Sequence, residues 1–254
     1  MRDINDPSGN FYEIFSGIQG EGLLVGERQI FVRFTGCNLD CAYCDTSSAR
    51  TPIESCRMEQ TPGARDFVTL GNPISCEDIA ACVEKLESMP GLHHSVSLTG
   101  GEPLVQVEAA SCLASDLKKR GFRIFLETNG SLPDALPDIL PFTDIISMDI
   151  KLPSSTGGID LLDEHELFLR KAVSAEVYAK IVLTSATSES DLSAAVEMVA
   201  AVDPKIPVIL QPVTPQFGIT PPAPARVLDW QAQCKRILRD VRVIPQCHKI
   251  IGQM

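Results

Sequence analysis

Short hydrophobic runs alternate along this chain with longer stretches in which apolar residues recur at helical spacing. Several of the short runs are apolar at nearly every position, which is typical of strands that are covered on both faces. The short runs predict strands at Gln29–Thr35, Ser95–Leu98, Arg123–Glu127, Ile145–Asp149, Tyr178–Leu183 and Val208–Gln211. The periodic stretches predict helices at Ser75–Ser88, Leu104–Arg120, Glu164–Ser174, Glu189–Ala201 and Pro224–Arg239.

The order of these elements indicates an α/β fold with a parallel sheet, because strands that alternate with helices form right-handed βαβ units. Six strands are too few to close an eight-stranded barrel, so an open, partial TIM-like (β/α)6 barrel is predicted. A late apolar run, Val241–Pro245, predicts an added edge strand. Segment 47–72 is rich in Thr, Pro, Ser and Arg and fits neither pattern, so we interpret it as a surface insertion in a single domain spanning residues 1–254.

Polar residues and glycines follow most of the predicted strands at the point where each strand ends. Because the carboxyl ends of parallel strands meet at one edge of the fold, we expect these loops to converge on one pocket. They comprise Cys37–Thr46, Thr99–Pro103, Thr128–Gly130, Lys151 and Pro212–Thr214. The sequence therefore predicts a single site at this edge.

Three of the nine cysteines, Cys37, Cys41 and Cys44, fall within eight residues directly after the first predicted strand. Three thiolates at this spacing can hold a compact soft metal centre, and they leave one iron of a four-iron cube open to a small molecule. A zinc site is an alternative, with His93 or His94 as a fourth ligand, although no second Cys-x-x-Cys pair is present. A redox-active pair of Cys41 and Cys44 is another alternative, and it leaves Cys37 unexplained.

Composition and charge argue against several classes of protein. The formal net charge of −11 is unfavourable for a nucleic-acid-binding surface, which needs a basic footprint. No apolar run reaches the roughly 20 residues of a membrane-spanning helix, and residues 1–10 do not resemble a secretory signal. We therefore predict a cytoplasmic protein with no membrane or nucleic-acid partner, in which a disulfide framework is not expected. The remaining cysteines are interpreted as small buried hydrophobic residues: Cys56, Cys76, Cys82, Cys112, Cys234 and Cys247.

The C-x3-C-x2-C loop resembles that of the radical S-adenosylmethionine (SAM) superfamily, and Thr99–Pro103 is similar to the Gly-Gly-Glu motif of that superfamily. The resemblance implies a 4Fe-4S cluster held by the three cysteines and chelated at its open iron by the methionine end of SAM. It also implies reductive cleavage of SAM to a 5′-deoxyadenosyl radical, within a partial barrel of the radical SAM type with modified helices.

Four further stretches resemble a narrower family, the 7-carboxy-7-deazaguanine synthases of queuosine and deazapurine biosynthesis. These stretches are Glu13–Gly22, Cys44–Thr46, Leu126–Gly130 and Pro245–Gly252. The match runs from about Glu13 to the C-terminus and is interrupted by segment 47–72. It implies a lyase that contracts the ring of 6-carboxy-5,6,7,8-tetrahydropterin to 7-carboxy-7-deazaguanine with loss of ammonia, uses SAM catalytically and is assisted by Mg²⁺.

The same resemblance implies which residues bind SAM. Glu102 is expected to accept a hydrogen bond from an ammonium, and the adjacent glycines allow close backbone approach. Shorter relatives carry Ser-Pro-Lys where this chain has Asp149-Ile150-Lys151, so Lys151 matches better than Asp149. The implied SAM-binding residues are Tyr43, Cys44, Asp45, Gly100, Gly101, Glu102, Asn129, Asp149, Ile150, Lys151, Gln211, Pro212, Val213 and Thr214.

The implied magnesium ligand is Thr46, with the substrate carboxylate completing the metal shell. Gln19 offers both donors and acceptors to the pterin edge, and Arg33 offers a bidentate donor pair to the substrate carboxylate. His248 and the terminal carboxylate of Met254 match positions that fold back over the substrate. The implied substrate-binding residues are Ile18, Gln19, Gly20, Glu21, Arg33, Thr99, His248 and Met254.

Two other functions compete with this hypothesis. An activase of glycyl-radical enzymes has the same kind of cysteine loop but acts on a partner protein. A non-enzymatic metal-binding structural module would leave the Gly-Gly-Glu and Thr-Asn-Gly loops without a purpose. The resemblance also implies an electron donor, such as flavodoxin or ferredoxin, and a homodimer.

Overall fold

A computed structural model describes residues 7–253 of the chain. The strands, in chain order, are β1 (Ser8–Gly9), β2 (Phe11–Ile18), β3 (Arg28–Phe34), β4 (Ser55–Glu59), β5 (Phe67–Gly71), β6 (Ile74–Ser75), β7 (Ser95–Gly100), β8 (Ile124–Thr128), β9 (Ile145–Ile150), β10 (Glu176–Leu183), β11 (Val208–Pro212) and β12 (Val241–Val243). The α-helices are α1 (Cys76–Leu86), α2 (Val107–Lys119), α3 (Leu136–Ile139), α4 (Pro153–Thr156), α5 (Leu162–Ala172), α6 (Glu189–Val202), α7 (Pro224–Cys234) and α8 (Cys247–Ile250).

The main sheet is open and has the strand order β12-β11-β10-β9-β8-β7-β3-β2-β4-β5. Every neighbouring pair from β3 through β7 to β12 is parallel, so the predicted α/β partial barrel is confirmed. The late apolar run forms β12 at the edge, as expected. Within residues 7–253, no helix is both long and apolar enough to cross a bilayer.

The sheet extends beyond the predicted strands on the side of β3. Strand β2, which the sequence pattern did not reveal, pairs antiparallel with β3 and carries the polar residues Glu13 and Ser16 among its apolar positions. Segment 47–72 supplies β4, which pairs parallel with β2, and the antiparallel strand β5. Since Cys56 and Met58 are buried in the main core, this segment is only partly a surface feature.

Helices cover the outer face of the parallel strands, and residues at their ends determine where two of them begin and stop. Ser75 is the N-cap of helix α1, and its side chain accepts a hydrogen bond from the Asp78 amide at 3.1 Å. Gly121, with a φ of 90°, follows the end of α2, where a left-handed residue is favoured. Residues such as Ile79 and Val83 then pack into the core against the sheet.

Side chains of the parallel strands alternate between the helix-facing core and the barrel interior. On β7, Val96 and Leu98 belong to the main core, whereas Ser97 and Thr99 contact polar groups. The interior is apolar at one level, where Phe125, Tyr178 and their neighbours pack together. Toward the carboxyl ends of the strands the interior residues become polar: Thr99, Glu127, Ser147, Asp149, Lys180 and Gln211. The period of two therefore turns these polar side chains into the interior, and their positions late in the strands place them at the carboxyl end of the barrel.

Replacing Leu98 by alanine should lower the free energy of unfolding by about 2–5 kcal/mol, because this fully buried side chain leaves a cavity in the main core. Chemical denaturation measures the change. Leu228→Ala is the matched control, since Leu228 is 65% exposed on α7, and it should change the same free energy by less than about 0.5 kcal/mol. Equal effects of the two variants would contradict the assigned core.

Candidate active site

A cavity of about 520 Å³ lies at the carboxyl ends of the parallel strands. Most of the candidate residues line it: Ile18, Gln19, Gly20, Glu21, Arg33, Cys37, Cys41, Tyr43, Cys44, Asp45, Thr46, Thr99, Gly100, Gly101, Asn129, Asp149, Lys151, Gln211, Val213 and His248. Four candidates do not line the cavity: Glu102, Ile150, Pro212 and Thr214. Met254 lies outside the described residues.

The three cysteines are carried by the loop that leaves β3. Cys37 accepts a hydrogen bond from the Leu39 amide at 3.4 Å, and Thr46 Oγ1 lies 3.9 Å from Cys44 Sγ. Burial raises the pKa of the Cys37 and Cys41 thiols, while the Lys151 ammonium acts in the opposite direction on both. A soft metal centre supplies the positive charge that deprotonates such buried thiols.

The arrangement of the cysteines argues against one zinc ion bound by all three. Thiolates around one tetrahedral zinc, with bonds of about 2.3 Å, lie roughly 4 Å apart. Within residues 7–253, the group of three metal-binding side chains whose ligand atoms all lie within 4.8 Å of one another is Glu21, Asp45 and His248, not the cysteines. His93, proposed as a zinc ligand, instead contacts Ser16 at 2.8 Å and Glu87. The three cysteine sulfurs are thus not gathered as closely as the ligands of one zinc ion.

A glutamine near the C-terminus joins three loops of the site. Gln246 Nε2 donates to Glu21 Oε1 and Asp45 Oδ2, both at 2.7 Å, and its Oε1 accepts from Thr214 Oγ1 at 2.6 Å. Lys249 also pairs with Asp45 at 3.1 Å. Because the two carboxylates already face donors, the group formed by Glu21, Asp45 and His248 is a contact between loops rather than a cation site.

Backbone contacts hold the C-terminal segment against the loop after β2. The Cys247 amide donates to the Gly20 carbonyl at 2.8 Å. A Cβ at Gly20 would lie 2.2 Å from His248 Nδ1, so this position requires glycine for His248 to occupy its place. Burial lowers the pKa of His248, and the nearby Glu21 carboxylate opposes that shift.

Two lysines balance two carboxylates on the barrel wall. Lys180 contacts Glu21 and lies 3.4 Å from Asp149, which also pairs with Lys151 at 2.8 Å. Burial raises the pKa of Glu21, but the attraction of Lys180 outweighs it and brings the value to about 2. Two buried acceptors, Asp149 Oδ1 and Gln211 Oε1, have no hydrogen-bond partner among the described residues. Since both residues line the cavity, a ligand with hydroxyl or amine donors fits them.

The Glu102 side chain joins two loops at the carboxyl ends of the strands. Its side chain is fully buried, and its oxygens accept from Leu104 N at 3.1 Å, Thr128 Oγ1 at 2.8 Å and Asn129 N at 2.7 Å. Glu102 thus ties the loop after β7 to the loop after β8, and burial raises its pKa to about 7. A hydrogen bond from a cofactor ammonium to Glu102 stays a prediction.

The Gln19 side chain is likewise committed to the protein. Its Nε2 donates to Gln29 and Glu127, both at 3.0 Å, and its Oε1 accepts from Glu21 N at 2.9 Å. Gln19 thus orients the Glu127 carboxylate and fixes the backbone at Glu21, and its amide groups are occupied by these protein contacts. Glu127 also accepts from Ser97 at 2.8 Å, and it lines the cavity.

Asn129 braces the cysteine loop from the neighbouring strand end. Its Nδ2 donates to Asn38 Oδ1 at 3.0 Å and lies 4.0 Å from Cys37 Sγ. Ser131 contacts both asparagine side chains, and the buried His165 contacts the Asn129 carbonyl. A donor near a cluster sulfur is a common means of setting its potential.

Sequence reasoning missed several cavity residues: Glu13, Arg57, Glu127, Ser147, Lys180, Gln246 and Lys249. Glu127 had a usable signal, because it is a carboxylate in an apolar strand directly before Thr128-Asn129-Gly130. Lys180 had a similar one, since it interrupts the apolar run of β10.

Comparisons with known sequences agree with this geometry. The family model described as the Radical SAM superfamily matches residues 31–191. A 7-carboxy-7-deazaguanine synthase from Geobacter sulfurreducens is 44% identical over 252 residues, covering 99% of this chain and 100% of that protein. A protein of the same name from Methanopyrus kandleri is 39% identical, covering 96% of this chain and 94% of its own length.

Solved structures show the same fold at lower identity. QueE from Escherichia coli aligns over 95% of each chain, with a TM-score of 0.60 and 22% identity. TYW1 with a lysine-pyruvate adduct bound aligns over 83% of this chain and 74% of its own, with a TM-score of 0.57 and 12% identity. These likenesses support the open barrel independently of the site.

Glu102 should make the free energy of unfolding depend on pH. Because burial raises the pKa of Glu102 from 4.5 to about 7, its contribution is fully present below pH 4.5 and is lost as the pH rises through 7. Relative to a Glu102→Gln variant, the wild type should lose roughly 2–3 kcal/mol between pH 5 and pH 8 in guanidinium unfolding. Glu108→Gln, at an exposed position on α2, should show no such difference, and an identical pH slope in all three proteins would contradict the assignment.

Proposed function

This chain belongs to the 7-carboxy-7-deazaguanine synthase family of the radical SAM superfamily, and from that membership we propose that it converts 6-carboxy-5,6,7,8-tetrahydropterin to 7-carboxy-7-deazaguanine with release of ammonia. The enzyme is then a lyase that uses SAM as a recycled cofactor. One observation carries the proposal: a single cavity joins the three-cysteine loop to paired carboxylates and to Arg33. The relatives give no support to a glycyl-radical activase or a structural module.

The residues present fit an iron–sulfur cluster and SAM. Cys37, Cys41 and Cys44 would hold the 4Fe-4S cluster, since all three lie on one loop and line the cavity. When bound, the cluster and SAM supply a 5′-deoxyadenosyl radical that abstracts hydrogen from the substrate. The unpartnered acceptors of Asp149 and Gln211 would take donors from SAM. The other SAM-binding positions on the cavity wall are Tyr43, Asp45, Gly100, Gly101, Asn129, Lys151 and Val213.

The remaining wall of the cavity suits a pterin that bears a carboxylate. Glu127 and Glu21 present acceptors to the amine and amide hydrogens of the pterin ring. Ionised Glu21 is secured by Lys180, so it accepts and does not donate at neutral pH. Arg33 keeps donors for the substrate carboxylate, and Thr46 would hold Mg²⁺ next to it.

The C-terminal segment would keep water away from a radical reaction. Gln246 and Cys247 fasten this segment to the loop after β2, and His248 lines the cavity from the same segment. Because Gln246 also contacts Asp45, beside Thr46, the segment would couple the substrate end of the cavity to the magnesium ligand.

The proposal includes a cytoplasmic single-domain enzyme with segment 47–72 as an insertion, an electron donor and a second subunit. Asp40 and Ala42 of the cysteine loop are exposed, which supports electron transfer from a flavodoxin or ferredoxin at that surface. Strand β5 lies at the open edge of the sheet with Val68 and Leu70 exposed, which supports pairing with another copy in a homodimer.

Cys41→Ala should abolish cluster loading, because two cysteines cannot hold the cube. After anaerobic reconstitution, the wild type should contain about four irons per chain and absorb in the visible range. In the Cys41→Ala variant both the iron content and the visible absorbance should be near background. Cys112→Ala, which changes a half-buried cysteine on α2, should load normally. A Cys41→Ala protein with full iron content would remove Cys41 from the ligand set.

Reduced wild-type enzyme with SAM and the carboxytetrahydropterin should form the deazaguanine acid, detected by mass. Arg33→Ala should keep the cluster absorbance but lose about tenfold to a hundredfold in kcat/KM, because charge-assisted hydrogen bonds to the substrate are removed. Arg123→Ala is the control, since Arg123 precedes β8 at the other end of the strands. Accumulation of 5′-deoxyadenosine without the acid would refute the reaction, and normal Arg33→Ala kinetics would remove Arg33 from the site.

A further inference from the structure

Three charged residues form a row across the sheet at the edge of the cavity. Arg33 on β3 and Arg57 on β4 are both register partners of Glu13 on the intervening strand β2. All three side chains line the cavity. Arg57 comes from segment 47–72, so this segment contributes directly to the wall of the site.

The charges in this row do not balance. Glu13 accepts from Arg33 Nε at 3.0 Å with one oxygen and from Arg57 Nη2 with the other, and its side chain is 8% exposed. Two guanidinium groups therefore share one carboxylate. No other acceptor among residues 7–253 takes their remaining N–H groups, so the row keeps an excess positive charge and free donors.

Aromatic rings fix the position of Arg57. Its guanidinium carbon lies 4.9 Å from the centre of the Phe67 ring, on β5, and 5.8 Å from that of Tyr12, on β2. Such contacts restrict a side chain that is otherwise 48% exposed. The hairpin of β4 and β5 thus supplies Arg57 and also holds it, which reduces the entropy lost when an anion binds.

Resting on the proposed function, we propose that Arg57 and Arg33 form a two-arginine site for the substrate carboxylate, with Glu13 as the spacer between them. Arg57 is then a specificity-determining residue that selects pterins carrying a carboxylate. Two planar guanidinium groups give the carboxylate more donors than one arginine can, while Glu13 keeps the pair from repelling each other. Segment 47–72 acquires the role of a substrate-side wall.

The test uses the reconstituted holoenzyme under anaerobic conditions. Arg57→Ala should raise KM for the carboxytetrahydropterin about tenfold or more, with a smaller change in kcat. The inhibition constant of the same tetrahydropterin without its 6-carboxylate should stay within about twofold of the wild-type value, since it makes no use of the charge. Arg57→Lys should recover part of the loss, because it restores the charge but not the planar fork.

Control measurements separate this role from a structural one. Cluster absorbance and the melting temperature of each variant should match the wild type, and Arg123→Ala should leave both constants unchanged. Unaltered KM in Arg57→Ala would overturn the proposal, as would equal weakening of the carboxylated and decarboxylated compounds. A wild-type enzyme that makes no product would instead refute the proposed function, so the two failures are distinguishable.

Discussion

Charged groups that leave water need partners, and this constraint organises the carboxyl end of the barrel. Where the partners balance, as with Lys180 and Glu21, the group fastens one loop to a strand. Where they do not, the unpaired charge faces the cavity. The donors that Glu127 finds within residues 7–253 are all neutral, and two arginines share Glu13. Glu127 can accept hydrogen bonds from the N–H groups of a ligand, and the two arginines can donate to a carboxylate. The unpaired charges in the cavity therefore match a ligand that carries both.

The sequence predicted the parts of the fold that depend on local pattern. The six parallel strands and the late edge strand were recognisable because buried runs alternate with amphipathic helices. The three cysteines were recognisable because their ligand spacing is local to one loop. Strand β2 escaped prediction because Glu13 and Ser16 break its apolar run, and these polar positions make sense only beside Arg33, Arg57 and Arg28 from other strands.

The candidate site was less predictable, because most of its contacts join residues far apart in the chain. Gln19 meets Glu127 across 108 positions, and Gln246 meets Glu21 across 225. A family pattern identifies such positions as cavity residues but does not show whether an amide faces a ligand or a neighbouring carboxylate. Glu102 illustrates the difference, since a motif residue expected at the cofactor is occupied in joining two loops. Only packing determines which polar atoms remain free.

The contact of Gln246 with Glu21 also bears on the order in which parts of the chain fold. It closes a loop of nearly the whole chain, and contacts of that separation carry the largest loop-closure entropy and form late. The cysteine loop and its strands can therefore assemble first, with the mouth of the barrel still open. The Gln246 contact then draws the C-terminal segment onto Glu21 and Asp45 after the cysteine loop is in place, so the C-terminal side of the site is completed last.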